Sequence, residues 1–339
     1  MSDVLWDICI QGIKDIMEKM RSKGVPEDQI ITGVNEALQP AIEAMLTEAV
    51  KDITACAKEQ MYEQVLYAEA EDAEFLARQE QKWGKCFVAS RMMYKLATEG
   101  AETLCEHVGE MDSKKYAEKQ YSFFTLKHLH GRACQEYLEI LTLIKAGFAD
   151  GAYARWRSMY ELCCIAEFVK QHGEQIAKQY YEQSETEEQG YKWTDGITDN
   201  NGNKIKTFKQ IQDMCSVSTA WHDKYKLGCL VNHASPQGTF GRMATGYPSS
   251  AIPVGRSDYG ITTPAEHSAI SLAWISANFL SLFPHADSIA TIHVLNNWID
   301  IIREVYFSTH DLVFRDMIKD GLIQPLWSEE EKGAQRNGQ

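Results

Sequence analysis

No stretch of the 339-residue chain is apolar for the ~20 residues that a bilayer span needs. The longest strongly apolar run, 269–283, is interrupted by Ser and Asn and reads as a buried helix. The first residues, Met1-Ser2-Asp3-Val4-Leu5-Trp6-Asp7, lack a basic segment followed by an apolar one, so no secretory signal is expected. Cysteine pairing is also unpromising. The nine Cys form neither a Cys-x-x-Cys motif nor a disulfide-framework spacing, which points to reduced thiols in a cytoplasm. The nearest approach to a metal motif is His128-Leu129-His130 with Cys134, short of the four ligands of a closed zinc site. There is no P-loop, Gly-x-Gly-x-x-Gly, His-Glu-x-x-His or Gly-x-Ser-x-Gly. Neither a metal nor an organic cofactor is expected. With 8 Pro and 22 Gly the chain is no low-complexity or collagen-like sequence.

What the chain does have is helix signal. Residues 41–83 contain neither Gly nor Pro and are rich in Ala, Glu, Lys, Gln, Met and Leu. Pro40 suits a first turn and Gly84 a stop, so a second helix over 85–107 is expected to fold back along the first. Further helices are expected at 121–146, 150–172, 208–231, 264–283 and 286–319, the last with a break near Thr309. Thr263-Pro264-Ala265-Glu266 has the form of an N-cap with a capping box. The turn-rich Asp199-Asn200-Asn201-Gly202-Asn203 lies between Tyr191-Lys192-Trp193 and Lys204-Ile205-Lys206 and could close a small hairpin. Alternating βα punctuation is absent. The expectation is an all-α helical bundle with a long N-terminal helical hairpin or arm and at most one small β-hairpin. Residues 1–120 would be the arm or scaffold, 121–327 the bundle with a long loop at 234–262, and 328–339 a disordered polar tail.

Charge is unevenly distributed. The chain carries 34 Lys plus Arg against 48 Asp plus Glu, a net −14, which argues against general coating of nucleic acid or anionic lipid. Yet the 34 residues from Lys224 to Ser257 contain no acid, where the average composition would place about five, and include Lys224, Lys226, Arg242 and Arg256. Pro236, Pro248 and Pro253 fall in the same window and mark it as loop. Long loops in compact domains often serve as lids or binding segments. Just before it, His233 would lie at the negative end of a helix, either capping the last carbonyls or donating a proton to an anion. Arg157 and Glu161 are four residues apart in an otherwise apolar helix, where they are either a buried ion pair or a ligand site.

Residues 143–153, leading into Arg157-Ser158-Met159-Tyr160-Glu161, resemble the signature of a bacterial helical domain family of unknown function. Its later elements are matched by Tyr191-Lys192-Trp193, by Tyr225 before Val231-Asn232-His233, and by Val254-Gly255-Arg256-Ser257. The resemblance covers about 121–310 and implies that Arg157, Glu161, Tyr225 and His233 converge. It implies no established activity. Arg303 and His310, with six residues between them, also fit the Arg-x4–6-His mark of HEPN-like nucleases of toxin and phage-defence systems.

These features set the functional expectation: a cytoplasmic protein with a pocket for a nucleotide or RNA phosphate. Arg157 would bind the anion, Glu161 orient it and His233 move a proton. Tyr225, Lys226, Ser235, Arg242 and Arg256 would complete the pocket, with Arg303 and His310 as a second candidate pair. Any catalysis would be metal-independent phosphodiester chemistry. The alternative is a non-catalytic interaction or sensor module that binds a protein partner, or a second copy, through the helical arm. No membrane partner is expected.

Overall fold

The computed structural model describes residues 2–216, 219–232, 236–240 and 255–327. In chain order the helices are α1 (Ser2–Arg21), α2 (Glu27–Gly109), α3 (Ser113–Ala117), α4 (Gln120–Lys145), α5 (Ala149–His172) and α6 (Glu174–Ser184). A 3₁₀ turn, Lys192–Thr194, precedes α7 (Phe208–Met214), α8 (Thr219–Asn232), α9 (Pro236–Phe240), α10 (Thr262–Leu280), α11 (Ala286–Val313) and α12 (Arg315–Lys319). Among the described residues there is no β-strand, so the protein is all-α. In place of a hairpin, a single antiparallel bridge, Thr198 to Lys204, closes the Asn-rich turn. Asp199 Oδ1 accepts the backbone N–H groups of Asn201 and Asn203, satisfying the turn locally without strands. No helix among the described residues is long and apolar enough to cross a membrane.

The chain divides into two compact units, Met1–Ala73 and Glu74–Gln339. In the first, α1 turns back through Gly24 (φ 76°), and Arg21 Nη2 meets Glu27 Oε1 at 2.5 Å. Among its described residues the buried apolar side chains are Ile30 and Val34.

Helix α2 corrects two expectations. Pro40 lies inside it rather than at its start, and it continues through Gly84 without folding back. An interior Pro costs about 3 kcal/mol and a Gly about 1. Strong helix formers follow Pro40, and around Gly84 the burial of Trp83, Cys86, Phe87, Met93, Ala97 and Leu104 along one face outweighs the glycine. That face packs on α11: Trp298 Nε1 donates to Ala89 O (2.9 Å), Cys86 Sγ to Val305 O (3.2 Å), and Ser90 and Tyr306 share a hydrogen bond of 2.9 Å.

The centre of the second unit is α4, α5 and α10, with α11 against α10, α8 against α5 and α6 against α4. Helices α4 and α5 are joined by a turn at Gly147, whose φ of +77° only glycine adopts readily. Helix α10 faces the core with small and hydroxyl side chains. Ser271 Oγ accepts from Trp156 Nε1 (3.0 Å), and Ser276 Oγ bonds His130 Nε2 (3.1 Å). This helix starts at Thr262 with no side-chain cap, so the Thr263 capping box is not formed. Ile261 and Thr262 are buried, and their burial exceeds the ~1 kcal/mol of a cap. The expected helix over 208–231 is two, because Ser216 N donates to Glu167 Oε1 (2.7 Å) instead of continuing the ladder. The final break falls at Phe314, a buried ring packed on Trp83, Tyr259 and His310, five residues later than expected. Of the expected loop at 234–262, residues 236–240 are helical, and 234, 235 and 241–254 lie outside the described residues, as does the 328–339 tail.

Candidate functional site

Helix α5 carries Arg155 and Arg157 two residues apart, hence on nearly opposite sides of the helix. They serve different neighbours. Arg157 points to α8. Its Nε donates to Cys229 Sγ (3.2 Å) and its Nη2 to Tyr225 Oη (3.1 Å). The same Nη2 lies 2.8 Å from Glu161 Oε1, and Tyr225 Oη in turn donates to Glu161 at 2.6 Å. The guanidinium carbon sits 5.3 Å from the centre of the Tyr225 ring, a cation–π contact. Arg157, Glu161 and Tyr225 therefore form a closed triangle across the seam.

Backbone proximity makes the triangle possible. A Cβ at Gly228 would lie 3.3 Å from Arg157 Cβ, so the glycine lets α8 approach α5 closely. Tyr153 Oη fixes the other end of the seam by donating to the carbonyl of Lys224 (3.0 Å). Behind it is an aromatic wall: Tyr160 stacks parallel to Trp221 and lies 5.2 Å from Tyr225, and Trp156 and Trp221 flank His267.

The pair is not buried, although the apolar sequence around it suggests that it should be. The side chains of Arg157 and Glu161 keep 27% and 31% of their exposure. Helix α5 buries the rest of its circumference and leaves this strip half open. Burial alone lowers the Arg157 pKa, but the Tyr225 hydrogen bond and the Glu161 charge more than reverse it, so the guanidinium stays charged. Burial, with Glu161 next, raises the Tyr225 phenol, which remains a neutral donor. Tyr191 feels the same pair: burial first and then the Glu161 carboxylate raise its pKa.

The other expected residues are dispersed. Lys226 is exposed and pairs with Asp223 (3.2 Å), one residue round the helix from Tyr225. Arg256 Nη1 donates to Ala146 O (3.0 Å) and its guanidinium covers the Phe148 ring. Arg303 Nε pairs with Glu266 (2.7 Å) and its Nη1 with Asp300 (3.1 Å). His310 Nδ1 meets Asp311 (3.0 Å), about 10 Å along α11. His233, Ser235 and Arg242 lie outside the described residues.

Sequence reading missed a second charged cluster, between α4 and α5. Glu136 is fully buried. Its Oε1 takes Arg132 Nε (3.1 Å), Arg155 Nη2 (3.4 Å) and Ser158 Oγ (3.3 Å), while Oε2 has no partner. An Arg and Glu one turn apart ordinarily read as a solvent-facing pair, so nothing in the local sequence marks this one as buried. Cys229 was more accessible to reasoning, since it follows Tyr225 by four residues on the same face. Among the described residues no group of three or more His, Cys, Asp and Glu side chains could hold a metal ion.

Residues 123–204 match the model of a family of unknown function, DUF5677. That stretch carries Glu136, Arg155, Arg157, Glu161 and Tyr191, whereas Tyr225 and Cys229 lie beyond it. No curated protein and no solved structure matches the chain.

Proposed function

We propose that the α5–α8 seam binds the phosphate of a nucleotide or RNA, with Arg157 as the anion contact. The observation that carries this reading is the Arg157 head itself. It is anchored through Nε and Nη2 and partly exposed, and its Nη1 has no partner among the described residues. An oriented guanidinium edge suits a phosphate oxygen, for which Arg is the preferred partner. Tyr225 and Glu161 hold its plane. The seam also opens the acid-free segment that begins at Lys224, so no carboxylate from that segment opposes an incoming anion.

A groove of about 490 Å³ begins at Ile165, one turn beyond Glu161, and is walled by Tyr180, Tyr191 and Trp193. Glu188 also lines it and is paired with Lys192 (2.6 Å), and the aromatic walls suit a nucleobase attached to the bound phosphate. The chemistry this reading implies is proton transfer at a phosphodiester. His233 serves as donor or shuttle and Arg157 stabilises the charge, in the manner of a cytoplasmic HEPN-like effector of a toxin or defence system.

The test is fluorescence anisotropy with a labelled single-stranded RNA and the full chain. Arg157→Ala should weaken binding ~10- to 100-fold, the worth of a charge-assisted contact. Unchanged affinity removes the seam from consideration. RNA integrity is then compared for wild type, His233→Ala and His310→Ala. Loss only in the last transfers the chemistry to the Arg303–His310 helix.

A second reading, a protein-interaction module, is favoured by a different observation. Leu46, Val50 and Ile53 stand at i, i+4 and i+7 on α2 in the first unit, with Met61 about two turns further on, and each is 44–60% exposed. Sedimentation of wild type against Val50→Lys/Ile53→Lys tests it for a second copy. A mass that is monomeric and the same in both rejects self-association through this face.

A further inference from the structure

A cavity of about 220 Å³ lies elsewhere in the second unit, lined by Phe75, Arg78, Gln79, Lys82, Arg256, Ser257 and Asp258. The first four stand at i, i+3, i+4 and i+7, so they share one face of α2. Residues 256–258 complete it. Their position is fixed by Ser257 N donating to Gly147 O (3.0 Å) and Arg256 Nη1 donating to Ala146 O (3.0 Å). The cavity therefore sits beside the turn that opens α5.

Its lining is built for an anion. Three cations, Arg78, Lys82 and Arg256, line it with one carboxylate, Asp258, and with Glu74 on Arg78 these five side chains carry about +1. Asp258 is spoken for, since Lys82 Nζ lies 2.8 Å from its Oδ2. Glu74 pairs with Arg78 at 3.5 Å and Glu80 with Lys145 at 3.5 Å, and neither lines the cavity. Gln79 supplies the independent observation. It is only 2% exposed, it lines the cavity, and its Nε2 has no hydrogen-bond partner. A buried amide donor without an acceptor is costly unless an acceptor arrives. The Ser257 hydroxyl already accepts from Tyr259 N (3.1 Å), which leaves its own proton to donate.

We propose that this cavity binds a phosphoryl dianion, as inorganic phosphate or as the head of a small phosphomonoester. The cationic lining suits its charge, and the Gln79 amide, the Ser257 hydroxyl and the cationic side chains match its acceptor oxygens. The volume lies below the ~300 Å³ at which pockets for larger organic ligands begin and suits phosphate or phosphate with a short sugar. The site is separate from the Arg157 seam and stands whether or not that seam binds RNA.

Isothermal titration calorimetry of the full chain tests it with inorganic phosphate, ribose 5-phosphate and ribose. Saturable binding of at least one phosphate ligand, and none of ribose, is expected. Tighter binding of ribose 5-phosphate identifies a phosphomonoester as the ligand, and tighter binding of inorganic phosphate identifies the free ion. Gln79→Met should weaken binding about tenfold, the value of one hydrogen bond to a charged acceptor. Arg78→Gln, on a mostly exposed side chain whose change does not threaten the core, should weaken it several-fold and guards against misfolding of the first variant. Arg157→Ala removes any phosphate held at the seam, and saturable binding should persist in it at this cavity; its loss there assigns the phosphate to the seam and overturns the proposal. No saturable binding by wild type, or wild-type affinity in both folded variants, overturns the proposal.

Discussion

Acidification from pH 7.5 to 4.5 should cost the second unit about 5 kcal/mol through two histidines alone. His130 is buried against Ser276 and Phe279, and burial lowers its pKa from 6.5 to about 4. His267 lies among Tyr153, Trp156 and Trp221; burial first, then Lys224 and Arg303, lower its pKa to about 3. Both rings therefore stay neutral in the fold while the unfolded chain protonates them below 6.5. The unfolded state binds more protons, so stability is fullest above pH 6.5 and falls as pH drops toward the folded values. Each unit below 6.5 costs about 1.4 kcal/mol per ring, so reaching pH 4.5 costs the pair about 5 kcal/mol. A domain's whole stability is roughly 5–15 kcal/mol, so the effect is readily visible. Urea unfolding at pH 7.5, 6.0 and 4.5, followed by tryptophan fluorescence, measures it. His130→Gln with His267→Phe should lower stability at pH 7.5 and flatten the pH dependence by about the same 5 kcal/mol. An unchanged slope in the double variant refutes the assignment, as does wild-type stability that rises toward pH 4.5.

Gly147→Ala should destabilise by more than 1 kcal/mol, because φ is +77° and the new Cβ would lie 2.6 Å from Phe75 Cζ and 2.9 Å from Ser257 N. Thermal denaturation reads it, and an unchanged midpoint contradicts the turn geometry. Trp156→Phe should cost roughly 1–3 kcal/mol by orphaning Ser271 Oγ and emptying part of a fully buried site, and Ser271→Ala in the Phe background should then cost little more. With a thiol reagent, exposed Cys56 should react at once in the native protein. Cys86 and Cys134 should wait for unfolding, since burial raises their thiols to about 11 and about 12. Immediate labelling of either would contradict the core packing.

The helices of the bundle were legible because their apolar residues repeat at helical spacing and their ends carry turn residues. The start of α5 falls within one residue of expectation for that reason, as does the start of α11. The errors share a cause. Gly84, Pro40 and Thr263 are local signals worth about 1–3 kcal/mol; tertiary burial overrode those at Gly84 and Thr263, and the strong helix formers that follow carried the helix past Pro40. Within the candidate site, the Arg157–Glu161 spacing was visible because it lies on one helix. Tyr225 came with the family resemblance. What no local pattern could reveal is which face of α8 meets α5, and so Cys229 and Gly228 emerge only from the packed structure. The buried Glu136 cluster was hidden for the opposite reason, since its spacing is that of an ordinary surface pair.

The three partners of Arg157 have a thermodynamic consequence for any ligand at the seam. Glu161, Tyr225 and Cys229 are internal competitors for the same guanidinium, and two of them ride on α8. An anion that recruits only Nη1 leaves the competition undisturbed and meets no such cost. One that seizes both terminal nitrogens must displace Tyr225 and Glu161, and its apparent affinity falls by the fraction of molecules in which they have let go. The seam would thus discriminate by denticity: a monodentate anion meets the triangle intact, and a bidentate one must first open it.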